Sequence, residues 1–145
     1  MKYLLKIIWF TIGLIGLICI RLFENSLFDD PLIRFYDNDF QNMPFPNLES
    51  WQYTFNIGFR FLLNSTISLF LIWIAFRNKN FIKFSILLYS VLLVFGLISF
   101  WWVAHDIQPK DYMVLFYIRR FLIHPILLIV LIPAFYFQKL NRKSV

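Results

Sequence analysis

Five polar side chains, Arg60, Asn64, Arg119, Arg120 and His124, interrupt two long apolar stretches of this chain. An arginine guanidinium is a rigid fork of donors that pairs bidentately with a carboxylate or a phosphate. Asn56, Arg60, Asn64 and Ser68 recur every four residues, so on a helix they form one slowly drifting polar stripe. Arg120 and His124 are also four apart and share a helix face, while Arg119 points about 100° away. Pro125 follows, has no amide hydrogen, and leaves the carbonyl of Phe121 without its usual helical partner. That carbonyl and His124 would line a polar pocket. Two chemistries fit these residues. One is a site for an anion, either a lipid-headgroup phosphate or the carboxylate of a partner protein. The other is an intramolecular ion-pair network with acids of the same chain, for which Glu49, Asp106 and Asp111 are the candidates. Intramembrane charges usually pair with one another, which favours the network. Arg60 has a third option, to snorkel to water about one turn away.

A covalent chemistry rests on less. Cys19 is the single cysteine, so the chain alone makes no disulfide and no cysteine-based zinc or iron–sulfur site. A thiolate activated by a basic neighbour is a nucleophile, and Cys19 falls at the same depth as Arg120 and His124. A small Cys/His membrane transferase is therefore one alternative, although no motif surrounds Cys19 and a lone cysteine commonly packs as a small apolar residue. Gly-rich phosphate loops, His-Glu-x-x-His and serine elbows are absent from the sequence. The histidines are two, His105 and His124. No catalytic residue, cofactor or metal ligand is assigned. Asn64-Ser65-Thr66 reads as a glycosylation acceptor, but its place inside an apolar run makes it a chance match.

Positioning these residues requires elements that tolerate lipid. Of the 145 residues, 60% are hydrophobic and 21% aromatic, above the ~45–50% apolar fraction of ordinary globular chains. Four apolar runs stand out, at about 4–20, 57–76, 86–103 and 114–137. Each is close to the roughly 20 residues a spanning helix needs. Backbone groups in hydrocarbon must bond within their own segment, and Ile86 to Phe95 does not alternate as a barrel strand does, so the runs are expected to be helices. The first begins with Lys2 and Lys6 but lacks a small-residue cleavage site, and reads as an uncleaved anchor. The expectation is an all-α membrane protein: one domain, residues 1–145, a four-transmembrane-helix bundle.

Charge gives the orientation. Residues 1–6, 77–83 and 139–145 hold eight Lys and Arg and no acid. Residues 21–56 and 104–111 hold all eight acids and only Arg21, Arg34 and Lys110. Short basic loops stay cytoplasmic, so both termini are expected inside (N-in/C-in). The net charge of +6 is thus distributed by membrane side. It lacks the basic face with interleaved aromatics that nucleic-acid binding uses, and no nucleic-acid partner is expected. The 36-residue segment Arg21 to Asn56 is the long outer, periplasmic loop. Its many large apolar residues are wrong for a disordered linker, so it is expected to be partly ordered, on the membrane boundary or folded back over the bundle. Trp51, Tyr53, Trp101, Trp102 and Tyr112 fall where an outer aromatic belt would sit.

Two stretches carry a family resemblance. Residues 47–64, Asn47-Leu48-Glu49-Ser50-Trp51 through Phe59-Arg60-Phe61-Leu62-Leu63-Asn64, are one. The other is Phe116-Tyr117-Ile118-Arg119-Arg120-Phe121-Leu122-Ile123-His124-Pro125, with Pro133-Ala134-Phe135-Tyr136 after it. Together they resemble the exosortase F system-associated membrane proteins of flavobacteria and their relatives, in the Bacteroidota. The specific matches cover about a fifth of the chain; the length and four-span layout fit all of it. The resemblance implies a multi-pass protein of the bacterial inner membrane that accompanies an exosortase, the transpeptidase-like enzyme of a protein-sorting system. The implied partners, besides the bilayer, are that exosortase or the tail of its sorted substrate. The implied role is that of an accessory subunit rather than an enzyme, because the chain is too short and has too few spans to be the exosortase. The resemblance places glutamine before Pro125; His124 departs from it, which argues against an obligatory proton transfer there. A binder of an anionic lipid headgroup or isoprenoid phosphate, through the intramembrane arginines, is the alternative.

Overall fold

A computed structural model describes residues 2–28 and 30–141. Asp29, Arg142 and Lys143, which enter the charge pattern above, lie outside the described residues. Most of the described chain is helical, and among the described residues there is no strand. Its elements are α1 (Lys2–Leu22), α2 (Glu24–Leu27), α3 (Pro31–Asp37), α4 (Ser50–Phe76), α5 (Lys79–His105), α6 (Tyr112–Ile123) and α7 (Ile126–Asn141), with a 3₁₀ turn at Pro109–Asp111.

By length and composition, α1, α4 and α5 can each cross a membrane, and the bent pair α6–α7 makes a fourth if it is one span. The runs expected at 57–76 and 86–103 are longer helices, extended by a turn or more of polar and aromatic residues. The connection between α4 and α5 shrinks to Arg77 and Asn78. Arg77 adopts the left-handed conformation (φ 50°) and its amide bonds the Trp73 carbonyl, closing α4. The Asn78 side chain then caps α5 by accepting from the Asn80 amide at 2.9 Å, the usual role of Asn at an N-cap.

α4 is the central helix: α1, α5, α6 and α7 all pack on it. Two glycines permit close approach. A Cβ on Gly13 would lie 2.5 Å from Leu71 Cδ2, and one on Gly96 would lie 2.5 Å from Leu122 Cδ2. The Gly13–Leu71 contact joins α1 to α4; Gly96–Leu122 joins α5 to α6. At the end bearing Arg77, the rings of Phe81 and Phe135 stack at 4.4 Å with Phe76 edge-on. At the other end Tyr53 stacks on Phe100.

The fourth run departs from the continuous helix expected over 114–137. It breaks at His124–Pro125, and the two halves meet at 57°. The cause is local. A residue before proline is pushed out of the α region, and His124 is extended at φ −90°, ψ 145°. Pro133 lies within α7 without breaking it. The long segment 21–56 folds back: Leu32 and Phe35 of α3 are buried, and the Tyr36 hydroxyl donates to the Tyr112 carbonyl at 2.8 Å. The aromatic belt is divided. Trp51 and Trp102 are exposed, whereas Tyr53 and Tyr112 are buried and Trp101 donates to Thr54 Oγ1.

Candidate functional site

The segment after α1 delivers two carboxylates into the protein. Asp30 precedes Pro31, and proline at the first position of a helix wants a capping residue before it. Asp30 caps α3, its Oδ1 accepting from the Leu32 amide at 2.9 Å. That use fixes its orientation and aims Oδ2 inward. Oδ2 then accepts from Arg60 Nη1 at 2.7 Å and from Arg119 Nη2 at 2.6 Å. Glu24, at the start of α2, ion-pairs with Arg60 Nη2 through Oε1 and with Arg21 Nη1 through Oε2. The Arg60 guanidinium also lies 4.8 Å from the centroid of the Phe28 ring, within cation–π range.

This centre is buried. Arg60 is 1% exposed, Asp30 4%, Glu24 7% and Arg119 8%, while the Arg21 side chain is 60% exposed. Arg60 therefore does not snorkel. Its head is held ten residues into α4 by carboxylates that the loop brings down to it. Breaking such a buried pair from one side costs about 3–5 kcal/mol, because the remaining charge loses its partner.

Of the residues the sequence singled out, Arg60, Arg119 and Asn64 come together here. Asn64 Nδ2 donates to the Ile123 carbonyl at 2.6 Å. The chain break at His124–Pro125 thus has a carbonyl bonded from α4; the polar group used is that of Ile123, whereas Phe121 was the expected one. Asn64 is itself buried. His124 is half-buried, with Nδ1 3.2 Å from the Arg120 carbonyl. Arg120 is exposed and does not join the centre. The helix face expected to be shared by Arg120 and His124 ends at the break, where His124 is extended and meets the Arg120 carbonyl rather than its side chain. The inward row of α6 is Tyr112, Leu115, Arg119 and Leu122, at helical spacing.

The expected acids are also corrected. Glu49 is exposed at the start of α4, and Asp106 is exposed beyond α5. Asp111 closes the 3₁₀ turn, its Oδ2 accepting from the Gln108 amide. The acids in the centre are Glu24 and Asp30. Both had a legible signal: Asp-Pro is a helix-start signature, and Glu24 stands three residues after Arg21. On the rim of the centre, burial pushes the Tyr36 phenol up from its ordinary value of 10.0. Its proton is kept for the Tyr112 carbonyl.

Beside the centre lies a cavity of about 250 Å³ bounded by α1, α2, α4 and the α6–α7 break. Leu17, Arg21, Arg60, Asn64, His124 and Pro125 are among its lining residues. Cys19 is exposed and does not line it. Among the described residues no three His, Cys, Asp or Glu side chains gather as a metal set. A second, polar cleft of about 580 Å³ is bounded by Arg34, Asn47, Glu49, Gln52 and Asn56.

No family model, curated protein or solved structure matches this chain.

Proposed function

We propose that this chain is a four-span protein of the bacterial inner membrane, with both termini cytoplasmic, and that it serves as a non-catalytic partner subunit of an exosortase-type protein-sorting system. The observation that carries the non-catalytic reading is the matching of both buried arginines by carboxylates of the same chain. A centre arranged in this way locks the 24–37 segment onto α4 and α6. It engages Arg60 through Nη1 and Nη2, and Arg119 through Nη2, with carboxylates of the same chain.

The four-span reading is supported by the helix lengths, by the lipid-compatible face of α1, and by the segregation of Lys and Arg from the acids. On that reading the polar cleft of Arg34, Asn47, Glu49 and Gln52 opens to the outer side. It is the surface offered there to the exosortase or to its substrate's tail. The exosortase assignment itself rests on the sequence resemblance at 47–64 and 116–136.

Affinity purification of the tagged chain in mild detergent tests the partner. Recovery of an exosortase is the expected result, weakened by Arg34→Glu in the outer cleft; recovery of none under conditions that preserve membrane complexes overturns it. Orientation has its own test. Asn47→Cys in a Cys19→Ser background is expected to react with an impermeant maleimide from the outer face only. Labelling from the cytoplasmic face alone would invert the topology.

A further inference from the structure

The cavity beside the ion centre has properties that the internal network does not explain. Its wall is built from the last turns of α1, with Leu17, Ile18 and Leu22, and from Ile123 and Pro125 at the α6–α7 break. Ile18 and Leu22 are 56% and 73% exposed, so the cavity borders a face that water does not favour. α1 packs chiefly on α4 and leaves this flank open. The ion centre beside the cavity is also unbalanced in charge. Arg21, Arg60 and Arg119 meet Glu24 and Asp30, so three cations face two carboxylates. The surplus positive charge resides where it is accessible, on Arg21.

Depth matches as well. α1 has 21 residues, about 30 Å at 1.5 Å per residue, which is the thickness of a bilayer's hydrocarbon core. Arg21 is the last residue but one, so on the four-span reading its guanidinium sits at the level of the headgroup phosphates. The cavity begins there and runs inward along the apolar side of α1. At about 250 Å³ it is smaller than the ~300–1,000 Å³ sites that enclose a whole small molecule. It suits a stretch of one hydrocarbon tail whose remainder stays in the bilayer.

We propose that this cavity is a binding site for an anionic phospholipid of the outer leaflet, its phosphate group paired with Arg21 and one acyl chain laid between α1 and the α6–α7 break. Bidentate pairing with a phosphate suits the exposed fork of Arg21, whose second partner, Glu24, remains paired with Arg60 when Arg21 turns to the lipid. The inference uses the four-span reading and is independent of the exosortase.

Native mass spectrometry of the purified chain, incubated with equal amounts of phosphatidylglycerol and phosphatidylcholine, tests it without any second protein. Phosphatidylglycerol is expected to be retained about fivefold over phosphatidylcholine, the effect of one basic side chain at an anionic surface. Arg21→Gln is expected to abolish that preference. Ile18→Trp, at an exposed position that fills the cavity from its edge, is expected to reduce retention of both lipids. Lys83→Gln removes the same charge from an exposed position at the opposite end of the protein and is expected to change neither. Equal retention of the two lipids by the unmodified chain would overturn the site, as would an undiminished preference in Arg21→Gln or the same loss in Lys83→Gln. Displacement by millimolar inorganic phosphate would overturn it too, since an anion alone would then be the ligand.

Discussion

Asp30→Asn tests the centre most directly. The substitution preserves side-chain shape, and an asparagine oxygen can still accept from the Leu32 amide, so the cap of α3 survives. What is lost is the negative charge shared by Arg60 Nη1 and Arg119 Nη2 at 2.7 and 2.6 Å. The Asp30 side chain is fully enclosed, so no water can take its place without opening the fold. Arg60 keeps Glu24, but Arg119 has no second ion pair among the described residues. Removing one partner from a buried pair costs about 3–5 kcal/mol, a large part of the roughly 5–15 kcal/mol that holds a typical protein folded. At about 2–4 °C per kcal/mol for a chain of this size, the melting temperature in a mild detergent is expected to fall by about 6 °C or more. Asp30→Ala removes the cap as well and is expected to cost about 1 kcal/mol beyond this. Glu49→Gln, at an exposed acid outside the centre, is expected to stay within about 0.5 kcal/mol. A melting temperature for Asp30→Asn equal to that of Glu49→Gln would refute the account, because the buried charge would then carry no coupling to the fold.

The two neighbouring arginines are expected to separate in the same assay: Arg119→Gln destabilises by about 3 kcal/mol or more, and Arg120→Gln by less than about 0.5 kcal/mol. Gly96→Ala drives a methyl group to 2.5 Å from Leu122 Cδ2 in a buried α5–α6 contact and is expected to cost about 1–3 kcal/mol. Gly58→Ala meets nothing within 4 Å and is expected to stabilise α4 by about 0.5–1 kcal/mol; equal melting temperatures for the two alanines would remove the close-packing argument. The raised Tyr36 phenol gives a pH dependence. Past the ordinary value of 10.0 the unfolded chain releases that proton while the folded chain keeps it, so stability is lost as pH rises through that value. Tyr36→Phe is expected to make the decline between pH 9 and 11 shallower, as measured by chemical unfolding.

The helices were legible because lipid-compatible runs leave little choice of backbone structure. Their lengths were less so. Ser50 to Asn56 is polar and aromatic, yet it extends α4 because Tyr53 stacks on Phe100 and meets Trp101 edge-on, tertiary contacts that no local pattern contains. Arg60, Asn64 and Ser68 could be read as an inward stripe from their spacing alone. The roles of Arg119 and Arg120 could not be read from their distance to His124, since that argument assumed a helix continuing through the residue before Pro125. The apolar row Tyr112, Leu115 and Leu122 held the better information: it puts Arg119 inward whatever happens at the break. The acids were misassigned for a different reason. Glu49 and Asp111 flank the long helices in sequence, whereas Asp30 reaches Arg60 and Arg119 only because the loop folds back through 30 and 89 residues of separation.

That folding back gives the ion centre its physical sense. A buried salt bridge is weak evidence of net stability, because desolvating both charges offsets much of their attraction. What it supplies is position. α2 and α3 are short, at four and seven residues, and helices of that length do not hold themselves together in water. Apolar contacts at Leu32 and Phe35 could bury them in several registers. Asp30 admits one, in which a single carboxylate caps α3 and meets two arginines from α4 and α6. Because α6 ends at the chain break that Asn64 also secures, the same few polar bonds fix the loop, the break and the cavity between them. A variant with Glu24, Asp30, Arg60 and Arg119 all replaced by apolar residues of similar size therefore separates two roles. Such a chain can melt as high as the natural one, since apolar replacement of buried ion pairs is often neutral or stabilising. If the centre sets register, the 24–37 segment of that chain becomes accessible to protease while the long helices remain intact. Protection equal to that of the natural chain would show that packing alone places the loop.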